Sequence, residues 1–137
     1  MVSEISEIQR VLLIDDDPEF IDMVRELLPA QIELRITTDA DAALRVTLGW
    51  QPDLIMLDAL LTSRDAFALL DEIRSARGGG RYGIVYLAKG RGARTRFQMF
   101  GNQLFGVLQR GSERPRLRSD LTRALHLAAG YACEQVA

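Results

Sequence analysis

The sequence predicts an α/β fold, a doubly wound parallel sheet of five strands. Two observations support this class. Short apolar runs such as 11–14 and 54–57 show no alternation, which is typical of parallel strands covered on both faces. Segments with apolar residues at helical spacing separate these runs, and the connections are short. The 137 residues, of which 47% are hydrophobic, suffice for a single domain, with its core over about 10–131.

Each element has local sequence support. The predicted strands are short and apolar, at 10–14, 34–37, 54–57, 84–87 and 104–108. The predicted helices lie between and after them, at 18–28, 40–48, 65–77, 95–100 and 117–132. Asp17 and Pro18 suit the N-cap and first position of the first helix, and Asp39 can cap the second. Gly49 is expected to stop the second helix, while Gly106 weakens the case for the fifth strand.

Composition excludes several function classes. A formal net charge of −2 does not argue for a nucleic-acid or membrane partner. No apolar run approaches the ~20 residues that span a bilayer, and the acidic segment 1–7 lacks the apolar core of a signal peptide. The single cysteine, Cys133, rules out an intramolecular disulfide and fits a reducing compartment. We therefore expect a cytoplasmic protein with no membrane contact.

Acidic residues follow two of the predicted strands. Asp15, Asp16 and Asp17 come directly after the first strand, and Asp58 ends the third. Because ligands of open α/β sheets bind at the carboxyl ends of the strands, at least three carboxylates are expected to meet there. Such a cluster is electrostatically costly unless a cation binds in it. Asp17 is expected to cap the helix rather than to bind a ligand.

These motifs resemble the receiver domain of two-component response regulators. The resemblance rests on Val11-Leu-Leu-Ile-Asp-Asp-Asp-Pro18 and on Pro52-Asp-Leu-Ile-Met-Leu-Asp58, followed by Leu61 and Asp65. It covers nearly the whole chain, so all of 1–137 is assigned to one receiver domain. It implies the flavodoxin-like strand order 2-1-3-4-5, which is one of the common orders of doubly wound sheets.

The resemblance also implies a chemical site. Asp58 would be the phosphoryl acceptor, and Asp15 and Asp16 would hold Mg²⁺ together with Asp58. The backbone carbonyl of Leu60 would supply a further ligand, and no other cofactor is expected. The phosphoryl group would come from a histidine kinase, a phosphotransfer protein or a small phosphodonor. The domain would be a phosphoacceptor with slow self-dephosphorylation rather than an enzyme with turnover.

Output would be a protein–protein contact. In the family, the face built from the fourth helix, the fifth strand and the last helix binds downstream partners and often pairs two copies. We expect neither an output domain nor a nucleic-acid site within this chain. The basic loop 89–96 lacks both the order of a phosphate-binding loop and interleaved aromatic residues. His126 is expected to be a packing or surface residue of the last helix.

The chain departs from the family at three positions near the phosphate. Ala88 stands where the family has its switch Thr or Ser, and Lys89 follows where the family has a small residue. Arg110 replaces the family's Lys, with Gln109 or Arg114 as alternatives for that role. We expect Lys89 or Arg110 to neutralise Asp58 in part.

Two other functions stay open at this point. A pseudo-receiver would use the same fold as a binding module without phosphorylation, which Ala88 favours. A Mg²⁺-dependent phosphohydrolase with an aspartyl nucleophile would use the Asp-x-Asp spacing of Asp15 and Asp17, although Pro18 fits that motif badly.

Overall fold

The computed structural model describes residues 10–58, 66–76, 83–88, 104–109 and 111–136. Strands and helices alternate along most of these ranges: β1 (Arg10–Ile14), α1 (Pro18–Leu27), β2 (Glu33–Thr37), α2 (Ala40–Trp50), β3 (Leu54–Asp58), α3 (Ala66–Ala76), β4 (Gly83–Ala88), β5 (Leu104–Gln109) and α4 (Arg114–Val136). The helix predicted over 95–100 and the glycine loop at 78–80 lie outside the described residues. None of the described helices is long and apolar enough to cross a membrane.

The five strands form one parallel sheet in the order β2-β1-β3-β4-β5. This order confirms the predicted fold class. The central pairing aligns Ile14 of β1 with Leu57 of β3, and Asp58 of β3 with Leu87 of β4. The carboxyl ends of the three central strands therefore lie side by side.

Helices cover both faces of the sheet. Residues 11–14 and 54–57 are fully buried, and alternate residues of the two strands pack on opposite faces. One face packs on α2 and α3 through Leu12, Ile14, Ile55 and Leu57, and the other packs on α1 and α4 through Val11, Leu13, Leu54 and Met56. Each such side chain contributes about 1.5–3 kcal/mol by leaving water, so the two-sided burial explains the continuous apolar runs.

The first helix begins as predicted. The Asp17 side chain accepts a hydrogen bond from the Glu19 N–H at 3.2 Å, and Pro18 occupies the first turn. Pro fits there because its missing N–H would have no partner inside the helix.

The predicted end of α2 was wrong. The helix continues through Gly49 to Trp50, and Gln51 ends it in the left-handed conformation with φ 55°. The Gln51 N–H donates to the carbonyl of Thr47 at 3.1 Å. The two additional helical residues place the Trp50 ring in the core, where it is only 9% exposed. Burial of that ring outweighs the weak helix propensity of one glycine.

The last helix begins three residues earlier than predicted, at Arg114. Pro115 lies in its first turn, where proline is tolerated, and the Leu117 N–H donates to the Glu113 carbonyl at 3.0 Å. The fifth strand is confirmed despite Gly106. A β-carbon at Gly106 would lie 3.5 Å from that of Ala124 in α4, so small residues meet where this helix crosses the sheet.

Candidate functional site

The site is built by the ends of two adjacent strands. Because Ile14 aligns with Leu57, the next residues along, Asp15 and Asp58, lie beside each other at the carboxyl edge of the sheet. The Asp15 N–H donates to the carbonyl of Thr37 at 3.0 Å. The hydrogen bonding between β1 and β2 therefore continues one residue past the end of β1, and it holds the backbone of Asp15 against the sheet.

Three carboxylates meet at this edge. Each of Asp15, Asp16 and Asp58 offers an oxygen atom that lies within 4.8 Å of the other two. Asp15 is 0% exposed and Asp58 is 2% exposed, whereas Asp16 is exposed to solvent. The cluster thus has two buried acids and one acid at its opening.

Local hydrogen bonds separate the roles of the consecutive aspartates. The Asp17 N–H donates to Oδ1 of Asp15 at 2.9 Å, which fixes the orientation of the Asp15 carboxylate. The Asp17 carboxylate caps α1 and does not belong to the cluster. The prediction that Asp17 is a helix cap is confirmed.

The donor set suits a hard divalent cation. Carboxylate oxygens are the ligands that Mg²⁺ and Ca²⁺ prefer in proteins, and a cation offsets the repulsion among three acids at this spacing. Asp15, Asp16 and Asp58 are therefore the residues that could hold a metal ion, and Asp16 leaves a route to it from solvent.

Similar proteins carry the same architecture and related sequence. No family model matches the chain. The receiver domain of NtrX from Brucella abortus superposes with a TM-score of 0.69 and 29% identity, over 84% of this chain and 97% of that domain. A CheY-like response regulator receiver domain protein from Methanospirillum hungatei superposes with a TM-score of 0.72 and 16% identity, over 90% of this chain and 98% of that protein.

Part of the chain is also similar in sequence to a curated protein. Over 66 residues the chain is 36% identical to the DNA-binding dual master transcriptional regulator RpaA of Synechocystis sp.. The chain therefore has the fold of response-regulator receiver domains and is similar to them in sequence. The match covers 47% of this chain and only 27% of RpaA, so DNA binding and transcriptional control are properties of that longer protein.

The strand register places Ala88 and also Gln109, which is one of the alternatives for the role of the family's Lys. Ala88 is the last residue of β4, one residue beyond Leu87, which pairs with Asp58, and it aligns with Gln109 of β5. Gln109 is half-buried, and its carbonyl accepts a hydrogen bond from the Ser112 N–H at 3.0 Å.

The other predicted positions divide into two groups. Arg114, one of the alternatives for the family's Lys, forms an exposed ion pair with Glu26 of α1, so its guanidinium has a partner outside the acid cluster. Leu60, Lys89 and Arg110 lie outside the described residues, and their assigned roles stay predictions.

One contributor to the site was missed from the sequence. The carbonyl of Thr37 holds the backbone of Asp15, although Thr37 is far from the acids along the chain. A backbone carbonyl carries no signal in residue type, and only the pairing register of β1 and β2 could reveal it.

Proposed function

We propose that this receiver domain accepts a phosphoryl group on Asp58, with Mg²⁺ held by Asp15, Asp16 and Asp58. The carbonyl of Leu60 is proposed as a further ligand. The observation that supports the proposal is the convergence of the three carboxylate oxygens within 4.8 Å of one another at the ends of β1 and β3.

The chain's own residues account for most of the chemistry. An Asp58 oxygen attacks phosphorus and forms a new P–O bond. The P–N bond of a phosphohistidine, or the P–O bond of acetyl phosphate, breaks and its electron pair leaves with the imidazole or the acetate. Asp58 acts as a carboxylate, so no base has to remove a proton from it. Strand β3 positions the nucleophile, and the solvent-exposed Asp16 marks the side from which a donor approaches.

Charge compensation is the part that the acids cannot supply. Mg²⁺ held by Asp15, Asp16 and Asp58 would offset the negative charge of the carboxylates and of the phosphoryl oxygens, which is the main requirement of phosphoryl transfer. Lys89 and Arg110 are proposed to add positive charge near Asp58. In a titration with Mg²⁺, Lys89→Ala or Arg110→Ala should then bind the ion more tightly than the wild type, and unchanged affinity would exclude the substituted residue.

Signalling is proposed to occur through protein–protein contacts. The donor would be a histidine kinase or a phosphotransfer protein, and slow self-dephosphorylation would reset the domain. The face formed by β5 and α4 is proposed to bind a downstream partner or a second copy.

Mass spectrometry of the intact protein tests phosphorylation directly. After incubation with acetyl phosphate and Mg²⁺, the wild type should gain the mass of one phosphoryl group, and removing Mg²⁺ with a chelator should prevent the gain. Asp58→Asn should not react. Asp71→Asn, at an exposed position on α3, is the matched control and should react like the wild type. Equal labelling of Asp58→Asn would refute the assignment of the acceptor.

The pseudo-receiver is the alternative that a specific observation favours. Ala88 stands at the end of β4 beside the strand that bears Asp58 and cannot donate a hydroxyl hydrogen bond to a phosphoryl oxygen. Beryllofluoride with Mg²⁺ separates the two functions, because it mimics an aspartyl phosphate. Changes in the NMR chemical shifts of residues around Asp58 support phosphorylation. Unchanged shifts, together with no gain of mass after acetyl phosphate, support the pseudo-receiver.

The phosphohydrolase is less well supported. Its motif would need Asp17 as a second reactive acid, whereas Asp17 caps α1. We expect no steady turnover of p-nitrophenyl phosphate by the purified protein.

A further inference from the structure

A second concave surface lies between the edge strand and the end of α2, far from the acid cluster. This basic groove has a volume of about 360 Å³, is open to solvent, and is lined by Arg35, Arg45, Val46, Gly49 and Trp50. It lies towards the amino end of the sheet, because Arg10 at the start of β1 donates to the Trp50 carbonyl at 2.6 Å. The acid cluster lies at the opposite end of β1, roughly 15 Å from Arg10 at about 3.3 Å per residue, whereas Arg35 aligns with Leu12 at the centre of that strand.

The basic groove carries positive charge held in place by an aromatic ring. The Arg35 guanidinium lies 4.7 Å from the centre of the Trp50 ring, and the Arg10 guanidinium lies 5.7 Å from it. Stacking of this kind restrains a flexible side chain before any ligand arrives. A partner would therefore lose less conformational freedom in binding Arg35 than in binding an unrestrained arginine.

Neither arginine of the basic groove forms an ion pair with a carboxylate of the described residues. Arg35 and Arg45 are both exposed. Glu33 lies two residues before Arg35 on β2 and makes no such pair. Two guanidinium groups are thus available to carboxylates from another molecule.

The floor of the basic groove is kept open by a glycine in a helix. Gly49 lies within α2, where glycine costs about 1 kcal/mol relative to alanine. A β-carbon at this position would meet no atom within 4 Å, so any larger side chain would extend into free space. Val46 adds an apolar surface one turn earlier in the helix.

We propose that the basic groove binds an acidic, extended segment of a partner protein. The two arginines select negative charge, and Arg and Trp are the residue types that dominate binding energy at protein interfaces. The shallow, open shape is unlike the enclosed pockets that bury most of a small ligand. Strand β2 is at the edge of the sheet, with its outer side unpaired by any of the described strands. An extended segment can therefore lie along β2 while its carboxylates reach Arg35 and Arg45.

The chain offers its own reporter for this contact. Trp50 is the only tryptophan, so fluorescence excited at a wavelength that tryptophan absorbs and tyrosine does not reports on the basic groove. The probe is a synthetic peptide of alternating Glu and Val residues, compared with a Lys and Val peptide of equal length. We expect the Glu peptide to change Trp50 fluorescence in a saturable manner that weakens with added salt, and the Lys peptide to have no effect.

Variants locate the contact. Because Arg35→Glu also removes a neighbour of the Trp50 ring, affinity is measured in parallel by the anisotropy of a labelled Glu peptide. Arg35→Glu and Arg45→Glu should each weaken binding about three- to tenfold, and Gly49→Gln should weaken it without a change of charge. Arg118→Glu, at an exposed position on α4, is the matched control. Circular dichroism confirms that each variant folds.

The outcomes separate this proposal from phosphorylation. Asp58→Asn should bind the Glu peptide like the wild type, because no residue that lines the groove belongs to the acid cluster. Absence of saturable binding, equal binding of the Lys peptide, or equal weakening by Arg118→Glu would overturn the proposal. Full displacement of the peptide by equimolar pyrophosphate would also overturn it, since the groove would then be a site for a small anion.

Discussion

Replacing Asp16 by asparagine removes the exposed carboxylate of the acid cluster and keeps the two buried ones. The change is nearly isosteric, and Asp16 lies at the opening of the site rather than in the core. Two effects of opposite sign follow. Without a divalent ion, the variant loses a repulsive charge and gains stability. With Mg²⁺, it loses a ligand and gains less from the ion than the wild type does.

The geometry sets the size of the first effect. The carboxylate oxygens of the cluster lie at most 4.8 Å apart. Two unit charges at that distance repel by about 3 kcal/mol at an effective dielectric constant of ~20. Because Asp16 is exposed, solvent screening reduces this repulsion to about 1 kcal/mol in total. For a chain of 137 residues, that is a rise in Tm of about 3–5 °C in the presence of a chelator.

Binding linkage sets the size of the second effect. At a Mg²⁺ concentration of about 100 times its Kd, the wild type is stabilised by about 2.7 kcal/mol. If losing one of three carboxylate ligands weakens binding about 100-fold, the gain of Asp16→Asn at the same concentration falls to about 0.4 kcal/mol. The order of stability therefore reverses: the variant is the more stable protein in chelator, and the wild type is the more stable protein in Mg²⁺.

Differential scanning fluorimetry with and without Mg²⁺ measures both effects in one experiment. Asp22→Asn removes an exposed carboxylate from α1 outside the cluster, and it should respond to Mg²⁺ like the wild type. An equal Mg²⁺-dependent rise in Tm for Asp16→Asn and the wild type would refute Asp16 as a ligand. A lower Tm for Asp16→Asn in chelator would refute the repulsion argument.

Three further predictions concern stability and are measured by urea denaturation, with unchanged m values as the control. Gly49→Ala should raise the free energy of unfolding by about 0.5–1 kcal/mol, because the added β-carbon meets open space in a helix. Asp39→Ala should lower it by about 1 kcal/mol, because Asp39 accepts two backbone N–H groups at the start of α2; Asp39→Asn should retain most of the stability. Met56→Ala should lower it by about 2–5 kcal/mol, since Met56 is fully buried. Leu127→Ala, at an exposed position on α4, should change it by less than about 0.5 kcal/mol. Losses of similar size for Met56→Ala and Leu127→Ala would contradict the assigned core.

Much of the site could be predicted because its residues follow strands that are easy to recognise. The run before Asp15 and the run before Asp58 are continuously apolar, and parallel strands bring such ends to one edge. The cap at Asp17 could be predicted for a similar reason, since Asp followed by Pro has a local conformational preference. The strand order came from the resemblance to receiver domains rather than from local preference.

The missed features depend on contacts between distant residues. Arg10 and Trp50 are 40 positions apart, and their hydrogen bond forms only when β1 and the end of α2 meet. The continuation of α2 past Gly49 follows from the burial of Trp50, which no local propensity predicts. Arg114 and Glu26 are 88 positions apart. Counting along the chain therefore could not show that Arg114 pairs with Glu26, and it left open which residue replaces the family's Lys.

The amino-acid sequence by itself determined which segments are strands buried on both faces, where the acids fall and which residues begin the first two helices. These features depend on the conformational preferences of each residue and of its near neighbours in the sequence. Such preferences act before the chain becomes compact. Only the tertiary structure decided that Thr37 holds the backbone of Asp15 and that Arg35 stacks on Trp50 to form a basic groove at the other end of the sheet. Both depend on the register of strands and on helix packing, and these are set by the burial of the whole core rather than by any one segment.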